Sequence, residues 1–264
     1  MSLAHHKDPK LKYQQQVDNA KEYVVPFILK TCTLTKQSKV LEIGCGEGGV
    51  LKPFYDIGCE CIGVDLDKPR LDLANTFLKE EVETGRMQFL YQNVMSEEFL
   101  AMYTQYFDLI ILKDVIEHIH DQENFIPFMK KLLTEQGQIF FGFPPWYMPF
   151  GGHQQIAEKK ITSKLPYYHL LPMPLFLGFL KLNKEKENTI LTLKEVKETG
   201  ISIERFERIC KKNNYTIVNK QWFLINPIYQ FKFGLKPRKQ NVVFGLIPFV
   251  RNFLTTCAYY TIAK

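Results

Sequence analysis

The chain has 264 residues, 45 % of them hydrophobic, enough to bury one sizeable core in one large domain or two small ones. Its 34 basic and 28 acidic side chains are mixed along the sequence, so the excess of six forms no arm; it permits an anionic partner without demanding one. Six cysteines at 32, 45, 59, 61, 210 and 257, with no C-x-x-C pair, exclude a zinc ribbon and a disulfide scaffold and read as the reduced thiols of a cytoplasmic protein.

The opening "MSLAHHKDPK" lacks the basic start, apolar middle and small-residue cleavage site of a signal peptide, and His5 and His6 have no third ligand nearby, so no metal site is expected. From Tyr13 to Lys30 apolar residues recur at helical spacing, with Pro26 the one irregularity, and residues 1–37 read as a helical leading segment. Strands and helices then alternate: "KVLEIG" strand, "GGVLKPFYDIG" helix, "CECIGVD" strand, "KPRLDLANTFLKEEVETG" helix, "MQFLYQNV" strand, "SEEFLAMYTQ" helix, "FDLIILKD" strand, a helix over 122–133, and "GQIFFGFP" as a fifth strand. Apolar strands separated by helices predict a parallel sheet covered on both faces, with 38–145 as its core.

After Pro144 the alternation stops. Residues 146–200 read as an insertion over the ligand edge of the sheet, a lid or a surface flap; within it "YYHLLPMPLFLGFLKL" is too short and too interrupted to span a bilayer, which leaves peripheral membrane contact open. From 201 to 264 the sheet is completed: Ser202 N-caps "IERFERICKKNN", then come the strand "YTIVNKQWFLI", a second irregular insertion, and a last strand "TCAYYTIAK".

Gly44, Gly46 and Gly49 satisfy G-x-G-x-x-G between the first strand and helix, and Asp65 ends the next strand 21 residues after Gly44, where its carboxylate can accept from both hydroxyls of a ribose. That spacing alone fits NAD. Glu42 and Glu47 argue against it, because acids at the mouth and inside the turn repel a pyrophosphate and favour a cationic ammonium or sulfonium.

Glu42, Gly44, Gly46 and Gly48 form E-x-G-x-G-x-G, and with "GVDLD", "QNV", "FDLIILKDVIEHI", "LLTEQGQIFFGFP" and the closing "YYTIAK" the chain resembles the class I S-adenosylmethionine-dependent methyltransferases over about residues 38–145. The resemblance implies a doubly wound, mostly parallel, seven-stranded Rossmann-like α/β sheet with a lid insertion after the fifth strand. It also implies S-adenosyl-L-methionine as cofactor and S-adenosyl-L-homocysteine as product. Carried over residue by residue, Glu42, Gly44, Cys45, Gly46 and Gly48 face the methionine moiety, Asp65 the ribose, Leu66 the adenine face, and Asn93 with the Val94 amide the adenine edge. Lys113 lends its backbone carbonyl to the amino group, and Tyr13 is placed either as an aromatic closing over the cofactor or as a packed helix residue.

Outside the cofactor loop, "PPWYMPFGGHQQ" leaves the carboxyl end of the fifth strand, where open α/β sheets bind substrates, and offers Trp146, Tyr147, Phe150 and His153 to an acceptor. His153 is a candidate general base on its ordinary pKa near 6.5, or a substrate hydrogen-bonder. His118, where a turn meets a helix, is given a minor structural role. The leading reading is methyl transfer to a small-molecule acceptor, with oxygen favoured and carbon or nitrogen open. A nucleic-acid acceptor is the runner-up among enzymes, motivated by the basic balance and by Lys159, Lys160 and Lys164; against it, "KDVIEH" stands where N-P-P-[YF] would and no compact basic stripe is present, so no nucleic-acid partner is expected. A lipid or polyprenyl acceptor, and a cofactor-binding protein without transferase activity, remain as alternatives. The oligomeric state is not legible.

Overall fold

Val40, Leu41 and Ile43 leave Glu42 as the only polar residue inside the first strand, and the strands that follow are as apolar; such segments are stable only when both faces are covered. The computed structural model describes residues 8–264 and assembles eight strands. They are β1 Lys39–Ile43, β2 Glu60–Asp65, β3 Met87–Tyr91, β4 Phe107–Lys113, β5 Leu133–Phe143, β6 Thr216–Ile225, β7 Arg238–Lys239 and β8 Cys257–Ala263. The order across the sheet is β3-β2-β1-β4-β5-β8-β6-β7, with β3 to β5 parallel to one another and β8 antiparallel between β5 and β6. This is the doubly wound α/β sheet expected, with one strand more. The eighth, β7, is two exposed basic residues on the edge of β6, too short to carry any periodicity in the sequence.

Alternate residues of each strand enter opposite layers. Leu41, Ile62, Ile110, Phe141 and Tyr260 pack on one face with Phe125 and Phe206; Val40, Cys61, Ile111, Phe140 and Tyr259 pack on the other with Val24, Phe27 and Phe54. Phe206 lies 4.8 Å from both the Phe141 and Tyr260 rings, and aromatic pairs of this kind add about 0.5–1.5 kcal/mol each beyond area burial.

Local chemistry sets the helix ends. Asp67, Ser96, Asp121 and Ser202 each cap a helix through a side-chain oxygen that accepts a backbone N–H, as read for Ser202. The leading helix runs Pro9–Asn19, widens into a π segment at Ala20–Val24, and resumes at Val25–Ile28. Proline at 26 has no N–H and its ring would press on the carbonyl four residues back, and the wider turn relieves both. The helix read over 68–85 is two, Lys68–Phe77 and Lys79–Glu83, broken at Leu78, which turns fully inward.

Beyond β5, residues 154–199 carry their own small core of Ala157, Tyr168, Phe176, Leu180 and Leu193. Gln122 fastens this unit to the sheet edge by donating to the carbonyls of Ile116 and Thr199 at 2.8 and 2.6 Å. The helix Ile228–Phe233 of the second insertion docks on the leading helix, where Gln15 donates to the Phe231 carbonyl at 3.1 Å and Tyr23 to Gln230 at 2.6 Å. Among the described residues no helix is long and apolar enough to cross a membrane.

Candidate active site

The carboxyl ends of β1, β2 and β4 open onto two cavities that share Gly44, Arg70 and Asp114 as a wall. The turn between β1 and its helix needs its glycines. Gly44 sits at φ +69 with a methyl's place already taken by Val115 at 2.5 Å, and Gly46 at φ +53 has the Arg70 guanidinium 2.0 Å from that place. The Gly46 N–H donates to Asp65 Oδ2 at 2.7 Å and the Asp67 N–H to Oδ1 at 2.9 Å, so two amides orient this carboxylate while lone pairs remain for a ligand.

The larger cavity, about 310 Å³, is a slot between Ile43, Val64, Leu66, Val94, Ile119 and Phe125 with Asp65 and Asn93 at its rim, a shape and polarity suited to a nucleoside. Asn93 Oδ1 already accepts the Met95 N–H at 3.0 Å and keeps one lone pair for the adenine edge.

The smaller cavity, about 170 Å³, is walled by Glu42 and Cys45 from the turn, by Lys12, Gln15 and Gln16 from the leading helix, by Lys113, and by Lys232 from the second insertion. Glu42 is 2 % exposed, and its Oε2 has no hydrogen-bond partner. Burial first, and the charge of Asp65 second, push its carboxyl well above the usual range. A carboxylate so placed fits a ligand that brings its own cation. The Lys232 ammonium, lowered by burial, faces the same space and suits a carboxylate. Nucleoside slot, buried acid and buried cations together fit adenosine joined to a zwitterionic amino acid, as in S-adenosylmethionine.

Several expected residues stand elsewhere. Glu47 is not a free acid in the turn: Arg70 holds it through two hydrogen bonds of 2.9 and 3.2 Å and Lys12 through one of 2.8 Å. Burial raises its pKa, but these bonds overcome that and hold it at about 2. The argument against a phosphate therefore rests on Glu42 alone. Tyr13 lines neither cavity and packs on Phe77, ring centres 5.1 Å apart. Lys113 contributes more than a carbonyl: its side chain is 6 % exposed, lines the smaller cavity and pairs with Asp114 at 2.5 Å.

Of the acceptor candidates, Trp146, Tyr147 and Phe150 line neither cavity. Trp146 is committed to the root of the insertion, edge-on to the buried His169 at 4.7 Å and filling the space over Gly200, while Tyr147 meets the Phe253 ring at 5.6 Å. His153 also lines neither cavity, but it lies beside His118, which lines the larger one. It adopts left-handed backbone, φ +54, and its ring lies 4.9 Å from that of His118 on the wall of the larger cavity. Burial, then the neighbouring His118, bring its pKa down to about 4, so the ordinary value near 6.5 does not apply and the imidazole is neutral at pH 7.

Beside both rings lies Glu117, 3 % exposed, with neither carboxylate oxygen hydrogen-bonded. Burial, then the charge of Asp114, raises it well above the usual range. Glu117, His118 and His153 each offer one ligand atom, all within 4.8 Å of one another, a donor set that suits a divalent cation as well as a proton. The sequence hid this cluster because His153 is 35 positions from His118, and only the turn after β5 brings them together.

One measurement checks the nucleoside half. If Asp65 is the ribose acceptor that the sequence implies, Asp65→Ala raises the dissociation constant for S-adenosylhomocysteine about 10- to 100-fold in calorimetry, the range expected for hydrogen bonds to a charged group. An unchanged constant would move the ribose elsewhere.

Residues 13–160 match the family model described as "Methyltransferase domain". A ubiquinone biosynthesis O-methyltransferase of Pelagibacter ubique (strain HTCC1062) is 31 % identical over 195 residues, 72 % of this chain and 71 % of that protein. The protein of the same name from Glaesserella parasuis serovar 5 (strain SH0165) is 31 % identical over 39 % of this chain and 43 % of its own, and that from Histophilus somni (strain 2336) is covered over 53 %, so the chain spans about half the length of these two relatives. Among solved structures, a putative sarcosine dimethylglycine methyltransferase from Galdieria sulphuraria superposes with a TM-score of 0.57 at 11 % identity, covering 92 % of this chain and 84 % of that one, a likeness of fold. With the glycine turn, the acid after β2 and the buried Glu42 in place, the family match and the Pelagibacter relative establish that this chain belongs to the class I S-adenosylmethionine-dependent methyltransferases.

Proposed function

We propose that the protein transfers the methyl group of S-adenosylmethionine to a hydroxyl oxygen of a small-molecule acceptor held against His118 and the neighbouring His153. The observation that carries this reading is the cluster itself: a buried carboxylate without a partner and two neighbouring imidazoles, of which His118 lines the cofactor cavity. The name of the Pelagibacter relative, an O-methyltransferase, supports the choice of oxygen.

When bound, the cofactor supplies a methyl on sulfonium sulfur that is already activated toward in-line displacement. The protein's part is alignment, exclusion of water and handling of the hydroxyl proton. Glu42 holds the ammonium and Asp65 the ribose. His118 and His153 are neutral acceptors for the hydroxyl proton, and the Glu117 carboxylate behind them stabilises the imidazolium that forms. A base at about pKa 4 is weak alone, so the carboxylate partner matters.

The test offers labelled S-adenosylmethionine with phenols, catechols, polyprenylated phenols, amines and RNA. Label is expected in a hydroxylated small molecule and lost from His153→Ala. Label in RNA, or only in amines, overturns the reading; so does tight S-adenosylhomocysteine binding with no transfer to any acceptor. Activity that survives exhaustive chelation supports proton acceptance by the imidazoles. Activity restored only by a divalent cation assigns the cluster to binding that cation.

A further inference from the structure

A run of exposed apolar residues lies in the second insertion, beyond the 146–200 insertion that the sequence singled out. Between β7 and β8, Val242, Val243, Leu246, Ile247, Phe249 and Val250 all point outward, Val242 at 76 %, Leu246 at 77 % and Phe249 at 63 % exposure. A contiguous apolar tip of this kind marks a surface that another phase or partner covers.

The exposure is built into the fold. The base of the tip is pinned from both sides: Gln240 takes the Trp222 carbonyl with its N–H at 2.9 Å and the Arg251 carbonyl with its side chain at 2.7 Å. Asn252 is fully buried and accepts the Ile203 N–H at 2.9 Å, while Arg251 bonds Glu204 and Glu207 at 2.8 and 2.9 Å. These bonds hold the apolar residues out in solvent.

Lys236, Arg238 and Lys239 lie just before the tip, exposed, and none forms an ion pair among the described residues. Lys239 and Val242 are three positions apart, a reach of about 10 Å at most. An apolar tip with a cationic fringe complements an anionic lipid surface, where the residues enter the acyl boundary and the cations stay among the headgroups. A two-fold contact with a second copy would bring the same cations against one another. On its inner side the patch continues through Phe253, whose ring meets Tyr147 at 5.6 Å and Tyr167 at 6.1 Å, into the loop that carries His153.

We propose that residues 235–253 dock the protein on anionic phospholipid bilayers, with the mouth of the acceptor site beside the membrane. The docking does not depend on the methyl acceptor; only the suggestion that the acceptor arrives from the bilayer rests on the function proposed above. The experiment is co-sedimentation of the full chain with phosphatidylcholine vesicles, with and without phosphatidylglycerol. Binding is expected to require phosphatidylglycerol, to weaken as sodium chloride is raised, and to fall about tenfold or more in Leu246→Asp, the factor that burial of one leucine side chain carries. S-adenosylhomocysteine affinity of that variant stays at the wild-type value, which shows an intact fold and separates failure here from failure of the catalytic reading. No binding to anionic vesicles overturns the proposal. So does equal binding by Leu246→Asp, or a dimer seen by light scattering that the variant dissociates in a protein that does not sediment.

Discussion

Glu42→Gln raises the dissociation constant for S-adenosylhomocysteine about 100-fold or more, and it does so without lowering the melting temperature. The first half follows from pairing: a buried carboxylate with an unpartnered oxygen meets the ligand's ammonium, and truncating one member of such a pair costs about 2–5 kcal/mol. The second half follows from the sign of the pKa shift. Glu42 titrates higher in the folded than in the unfolded chain, so its ionised form costs stability, and that cost appears as pH rises from the ordinary carboxylate range through the folded-state value. Glutamine removes the cost, so the variant's advantage in melting temperature is present at neutral pH and vanishes in acid. Binding carries the opposite dependence: the ammonium selects ionised Glu42, so wild-type affinity rises with pH until that carboxyl is ionised in the free protein. The variant has no such limb. Calorimetry across pH with thermal melts reads all of this, and an unchanged constant in Glu42→Gln would remove the amino-acid end of the ligand from this cavity.

Glu117→Gln lowers kcat about 10²- to 10⁴-fold while leaving S-adenosylhomocysteine affinity unchanged. The substitution keeps the size of a side chain that is fully enclosed and lines neither cavity, so packing and cofactor contacts persist. What disappears is a carboxyl beside His118 and His153 that can ionise when an imidazolium forms, and loss of a positioned proton-transfer partner carries a penalty of this size. The split between kcat and affinity distinguishes a role in the reaction from a structural one. Wild-type kcat in Glu117→Gln would leave the cluster without a part in transfer.

Much of the fold was legible because the strands are apolar on both faces and the turns between them carry glycine, proline and capping residues at the right offsets. Glu42 and Asp65 were legible for the same local reason, each lying two residues or fewer from a strand end. Long-range packing was not. Glu47 reads as a free acid until Arg70, 23 positions on, is folded against it, and Trp146 reads as a substrate contact until Gly200 and His169 are placed around it. The depressed basicity of His153 likewise comes from what buries it, which no neighbour in the sequence reveals.

The walls of the smaller cavity come from the two extremities of the described chain, Lys12 to Gln16 at one and Ile228 to Lys232 at the other, with the glycine turn between. The residues that line the nucleoside slot, 43–125, are therefore synthesised well before those that complete the amino-acid pocket. Retention of the complete cofactor reports that synthesis has passed residue 232 and that both extremities have docked. Ligand protection of this protein against heat or protease accordingly reports chains in which residues 12–16 and 228–232 have both docked around the glycine turn.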